Sequence, residues 1–256
     1  MRRTAPLRAA FVSAITLFLV VANVAPSEAN HSWGGYHWAR TSNPFTIKLG
    51  DNLSSTWKPY LATASSDWTQ SAVLDTAVVP GAAKGSCRPT AGRVEVCNKS
   101  YGANGWLGLA QIWITNGTHI TQGTVKVNDT YFVQTQYNNA NEKQHVMCQE
   151  VGHTFGLDHQ STDGSSQLTC MDYSTDPGST HPNQHDYDEL ALIYAHLDSS
   201  TTIIAAGAAG GSGSAADADN DGTPRGASPS RGSWYVEDQG GGRYLLTHVY
   251  WADSGR

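Results

Sequence analysis

Hydrophobic and polar positions change period several times along the chain, and each change marks an element. Pro44 to Leu49 alternates β-branched and aromatic residues with polar ones and predicts a strand, closed by the turn residues Gly50, Asp51 and Asn52. Trp57, Tyr60, Leu61, Ala64, Trp68 and Ala72 then recur at near-helical spacing, with Pro59 early in the helix where its missing N–H costs little. These tryptophans read as core. Between Val78 and Phe132 the runs become short and strand-like, Arg93 to Cys97, Leu107 to Thr115 and Thr124 to Val127, separated by Gly, Asn and Pro. A second helix is predicted from about Asn141 into residues 149 to 159. A third runs from about Asp186 to Leu197, where Leu190, Ile193, Tyr194 and Leu197 form one apolar face and Asn183 or Asp186 caps the start. From Thr202 to about Gly232 the chain is too poor in large apolar side chains to bury a core and reads as a linker. Trp234 to Trp251 alternates again, with Tyr244, Leu246, His248 and Tyr250 in step, and predicts a hairpin that docks back or packs on a partner.

Residues 1–29 carry the three parts of a secretory signal: basic Arg2, Arg3 and Arg8, an apolar stretch from Ala9 to Val21, and the small-residue exit Ser27-Glu28-Ala29. The apolar stretch is too short for a spanning helix of about 20 residues. Removing the segment takes away three arginines and one glutamate and changes the formal charge from −6 to −8. That charge argues against nucleic acid or an acidic membrane as partner. The expected division is a signal peptide (1–29), one catalytic-size domain (30–200), a Gly/Ala/Ser/Asp-rich linker (201–232) and a hairpin-like tail (233–256) in a secreted monomer. In an oxidising compartment the four cysteines are expected as disulfides. Three pairings are open, and Cys87–Cys97 with Cys148–Cys170 is preferred because the first pair flanks a short turn.

Chemistry concentrates in Cys148 to Gln160, CQEVGHTFGLDHQ. On a helix, Gln149 and His153 lie one turn apart on one face and can converge on one ion, with Glu150 about 100° round the helix beside it. Gly156 permits a left-handed turn that brings His159 back as a third ligand. The segment resembles the zinc signature of the metzincin peptidases, His-Glu-x-x-His-x-x-Gly-x-x-His, at every specified position except the first, where Gln149 stands. Cys170-Met171-Asp172-Tyr173 resembles the Met-turn that follows it, with Tyr173 at the place of an extra ligand or oxyanion stabiliser. The nearest subgroup by resemblance is the matrixin-like secreted bacterial peptidases, and gametolysin-like relatives also carry Gln for the first His.

The resemblance implies an α+β fold: a mixed sheet, an active-site helix, a Met-turn and a C-terminal helix. It also implies a metalloendopeptidase that hydrolyses peptide bonds with a metal-activated water, Glu150 as general base, and Gln149, His153 and His159 holding zinc or another divalent transition metal. Its substrate would be an extended peptide or protein, paired with Leu107 to Thr115 as an edge strand. Because an amide oxygen is a weaker donor than imidazole, the alternative is an inactive relative acting as a binding or inhibitory module. His145 is too far along the helix to substitute, at roughly 12 Å. Capping or surface roles are expected for His31, His37, His119, His181, His185, His196 and His248. Asp217-x-Asp219-x-Asp221-Gly222 opens like a calcium loop, but Ser228 stands where a bidentate Glu belongs, so calcium is a minor expectation.

Overall fold

The computed structural model describes residues 31–83, 86–204 and 232–252 together with Met1. The signal segment, most of the linker and the calcium-like loop lie outside the described residues. In chain order the elements are β1 (His37–Trp38), β2 (Phe45–Asn52), α1 (Lys58–Trp68), β3 (Leu74–Pro80), β4 (Val94–Lys99), β5 (Trp106–Thr115), β6 (His119–Asn128), α2 (Asp129–Phe132), α3 (Ala140–His153), α4 (Gln184–Ile193), β7 (Gly232–Gly240) and β8 (Arg243–Trp251). The class is α+β. One mixed sheet runs in the order β3-β2-β4-β6-β5-β8-β7, with β1 beside β6. The pairs β2–β3, β2–β4 and β4–β6 are parallel, and β5 turns antiparallel to β6.

Helix α1 starts with proline in its first turn and turns Leu61, Ala64 and Trp68 inward; Trp57 and Trp68 are fully buried, as their spacing predicts. The Trp68 indole donates to Cys148 O at 3.2 Å, tying α1 to α3. Asn139 caps α3 through Glu142 N, and Asn183 caps α4 in a reciprocal capping box with Asp186. Helix α4 stops at Ile193, short of the expected Leu197, which is exposed. Tyr194 takes over the apolar anchoring: its hydroxyl donates to Phe155 O and accepts from Trp38 N. Both preferred disulfide pairings are present, Cys87–Cys97 and Cys148–Cys170.

The expectation of β5 as an open edge is corrected. The C-terminal hairpin adds to it: β8 pairs antiparallel with β5 from Trp106 to Ile114, and β7 pairs with β8. The cause is legible in β8 itself, which buries both faces. Leu246 and Tyr250 join the main core under α3, while Val249 and Trp251 pack with Trp106 and Leu109 on the other side. A strand apolar on both faces is stable only inside a sheet covered on both sides.

Candidate metal centre

Helix α3 brings Gln149, Glu150 and His153 into the interior, each fully buried. After His153 the chain must reverse, and Gly156 does this at φ +96°, with its α-carbon so close to the N-terminal segment that a Cβ would lie 2.0 Å from Tyr36 O. The reversal returns His159 to the same point. Its Nε2 lies 3.1 Å from His153 Nε2.

Sequence reasoning passed over the third imidazole at this point. His248 sits on β8 opposite Ala110 of β5, has no exposed surface, and offers a ring nitrogen within 4.8 Å of those of His153 and His159. Its Nδ1 shares a hydrogen bond with Glu150 Oε2 at 3.0 Å. The surface role expected for His248 is therefore corrected. The signal was present in the alternation of Leu246, His248 and Tyr250, which puts His248 on a core-facing row; what no local pattern carries is that this row faces α3.

Gln149 does something other than the motif position suggests. Its side-chain nitrogen donates to Cys170 O at 2.7 Å and Asp172 O at 2.8 Å, clamping the 170–173 turn to α3. Its Oε1 has no hydrogen-bond partner among the described residues, nor has Glu150 Oε1 or His248 Nε2. Met171 is buried beneath, its sulfur 2.7 Å from where a Cβ on Gly152 would stand. The Tyr173 ring lies 4.2 Å from that of His159. Trp234 of β7 closes the remaining side: its ring stands 4.8 Å from His153 and 4.6 Å from His248, stacks on Trp33 at 3.6 Å, and donates to Asp158 Oδ1 at 3.0 Å.

Burial controls the charges. It lowers His153 well below the ordinary histidine value, helped by the neighbouring His248 and His159 rings. It lowers His159 to about 4 despite the Asp158 hydrogen bond, and His248 to about 3. It raises the Glu150 carboxyl well above the usual range, and the Tyr173 phenol likewise. His153 Nδ1 donates to Leu157 O at 2.9 Å and His159 Nδ1 to Asp158 Oδ1 at 3.0 Å, which leaves both Nε2 atoms as lone pairs facing each other. Two facing lone pairs repel unless a cation lies between them, and neutral imidazoles with the distal nitrogen so held are the usual presentation to a metal. The residues fit a zinc-type ion.

His145 Nδ1 donates to Ser179 O, and His145 is absent from the imidazole cluster. His31 is buried beside Asp186, and His185 stacks on it at 4.8 Å, away from the cluster. His181 meets the expected surface role beside Asp67.

No protein-family model matches the chain, and no curated protein does. Solved structures are similar in part. Myroilysin is 11% identical over 65% of this chain and 99% of that one, with a TM-score of 0.38. High choriolytic enzyme 1, a hatching enzyme zinc-protease of the medaka fish Oryzias latipes, is 11% identical over 62% of this chain and 94% of that one, with a TM-score of 0.34.

Proposed function

We propose that the chain is a secreted metalloendopeptidase of metzincin form, folded here with its centre closed by its own C-terminal hairpin. The observation that carries this reading is the convergence of His153, His159 and His248 on one buried point with the Glu150 carboxyl beside it. His153 and His159 would hold the ion, with Gln149 Oε1 as the weak third donor in an open form and His248 in the closed one. A divalent ion there would polarise a peptide carbonyl and offset charge developing on its oxygen. Glu150 takes a proton from the attacking water and returns it to the leaving nitrogen. Its burial raises its proton affinity towards the range such a relay needs. Tyr173, kept protonated by burial, donates to the developing oxyanion. An extended peptide would pair with β5, the place β8 takes, so hydrolysis requires the hairpin to leave. The disulfides suit an oxidising compartment, and no helix among the described residues is long and apolar enough to cross a membrane.

The test is zinc content with peptide hydrolysis for wild type, Glu150→Ala, Gln149→His and His248→Ala. Zinc in all four, no hydrolysis by Glu150→Ala and faster hydrolysis by His248→Ala are expected. Zinc without hydrolysis in every variant would establish the non-catalytic binding relative instead. Loss of both zinc and activity in His248→Ala would make that residue an obligatory ligand and remove the open form.

A further inference from the structure

A second group of histidines lies in a different part of the molecule. Strand β1 pairs in parallel with β6 so that His37 stands opposite His119. The chain leaving α4 turns back over this pair, with Asp198 N donating to Arg40 O at 2.9 Å, and delivers His196 and Asp198. Asp198 is held rigidly by one oxygen: Oδ2 accepts from Arg40 N at 3.1 Å and from Arg40 Nη1 at 2.9 Å. The same guanidinium donates to His196 O. The other oxygen, Oδ1, faces the three rings.

Ligand atoms of His37, His119 and Asp198 all lie within 4.8 Å of one another. Oδ1 lies 3.5 Å from His37 Nε2, 3.2 Å from His119 Nε2 and 3.8 Å from His196 Nε2, and the Nε2 atoms of His37 and His196 are 3.2 Å apart. Ligands about 2.0–2.2 Å from a tetrahedral zinc are separated from one another by roughly 3.3–3.6 Å. The rings stand nearly perpendicular, His37 to His119 at 79° and His37 to His196 at 89°. His37 Nδ1 donates to Gly35 O at 2.9 Å, which fixes the tautomer that leaves Nε2 as the donor atom. The 3.2 Å between the Nε2 atoms of His37 and His196 is an N–H···N hydrogen bond with His196 as donor, and His196 stands outside the trio.

We propose that His37, His119 and Asp198 form a second site for a divalent transition ion of the zinc type, with solvent completing its coordination. Its role is to fasten the ends of the domain. It joins β1 to β6 and to the segment after α4. Through β1 it holds Trp38, whose indole donates to Thr154 O at 2.9 Å, at the end of the helix that carries His153.

The test is metal stoichiometry in the full chain loaded with Zn(II) alone, by elemental analysis, with the Co(II) absorption spectrum as a second readout. His153→Ala/His159→Ala removes the first centre and should leave one ion per chain, with the intense visible bands of tetrahedral cobalt. Adding His119→Ala, on a side chain 24% exposed, should weaken that ion by at least about 10- to 100-fold and remove the bands without changing the circular dichroism. The proposal is overturned if the double variant binds no ion, or if His119→Ala leaves affinity and spectrum unchanged. Because the first centre is already disabled, either result is independent of whether the chain is a peptidase.

Discussion

At Gly156 two demands meet that no other residue satisfies. A side chain there would take a positive φ and strike Tyr36 O at 2.0 Å, a backbone atom that cannot swing away. Gly156→Ala is therefore expected to lose roughly 2–5 kcal/mol, strain and clash together, and to lower zinc affinity because His159 is displaced; urea unfolding and a zinc titration measure both. Glu150 gives a prediction of opposite sign. Its folded proton affinity is raised by burial, so above the ordinary carboxylate value of about 4.3 the folded chain binds a proton that the unfolded chain releases, and stability falls as pH rises. In chelated protein, Glu150→Gln should melt higher than wild type at pH 7.5 and nearly equal to it at pH 4. Equal melting at both values would contradict the buried, raised carboxyl. The roles of Gly156, His153 and His159 were readable from spacing, because one helical turn and one reversal fix where they point. The hydrogen bonds of Gln149 were not, since they depend on where the carbonyls of 170 and 172 settle after the loop 154–169.

Among the elements, α1, α3, α4 and the strands with alternating rows were legible, and β1, β3 and the short α2 were not. Two residues, His37 and Trp38, give no periodicity, and their pairing with β6 is set by Trp38 finding the core. The hairpin is the intermediate case. Its alternation was plain, yet the strand it joins is fixed only by which exposed edge matches its two apolar faces. This makes the hairpin's attachment testable through Trp234, which stacks on Trp33 and donates to Asp158. Trp234→Ala should weaken docking by roughly 1–2 kcal/mol, seen as about tenfold faster amide exchange of β8 with β2 and β4 unchanged. Exchange that accelerates everywhere, or nowhere, would mean that Trp234 does not hold the hairpin to the site.

For the molecule as a whole, the two disulfides separate stability from assembly of the site. They close loops with sequence separations of 10 and 22, so chain entropy assigns them similar contributions, about 2.7 and 3.4 kcal/mol. Their surroundings differ. Cys87–Cys97 fastens the loop before β4 to that strand. Cys148 precedes Gln149 on α3, while Cys170 O accepts from the Gln149 amide and Met171 follows it beneath the site. Replacing either pair with serine should therefore lower the unfolding free energy by comparable amounts, but only Cys148→Ser/Cys170→Ser should weaken zinc at the first centre. The reason is positional: without that bridge, the turn under the imidazoles keeps the Gln149 hydrogen bonds and the Met171 contact with Gly152 but loses its covalent tie to α3. Zinc titrations of the two double variants, compared at a temperature where both remain folded, decide it. Equal zinc affinity in the two would show that the 170–173 turn keeps its place without the covalent tie.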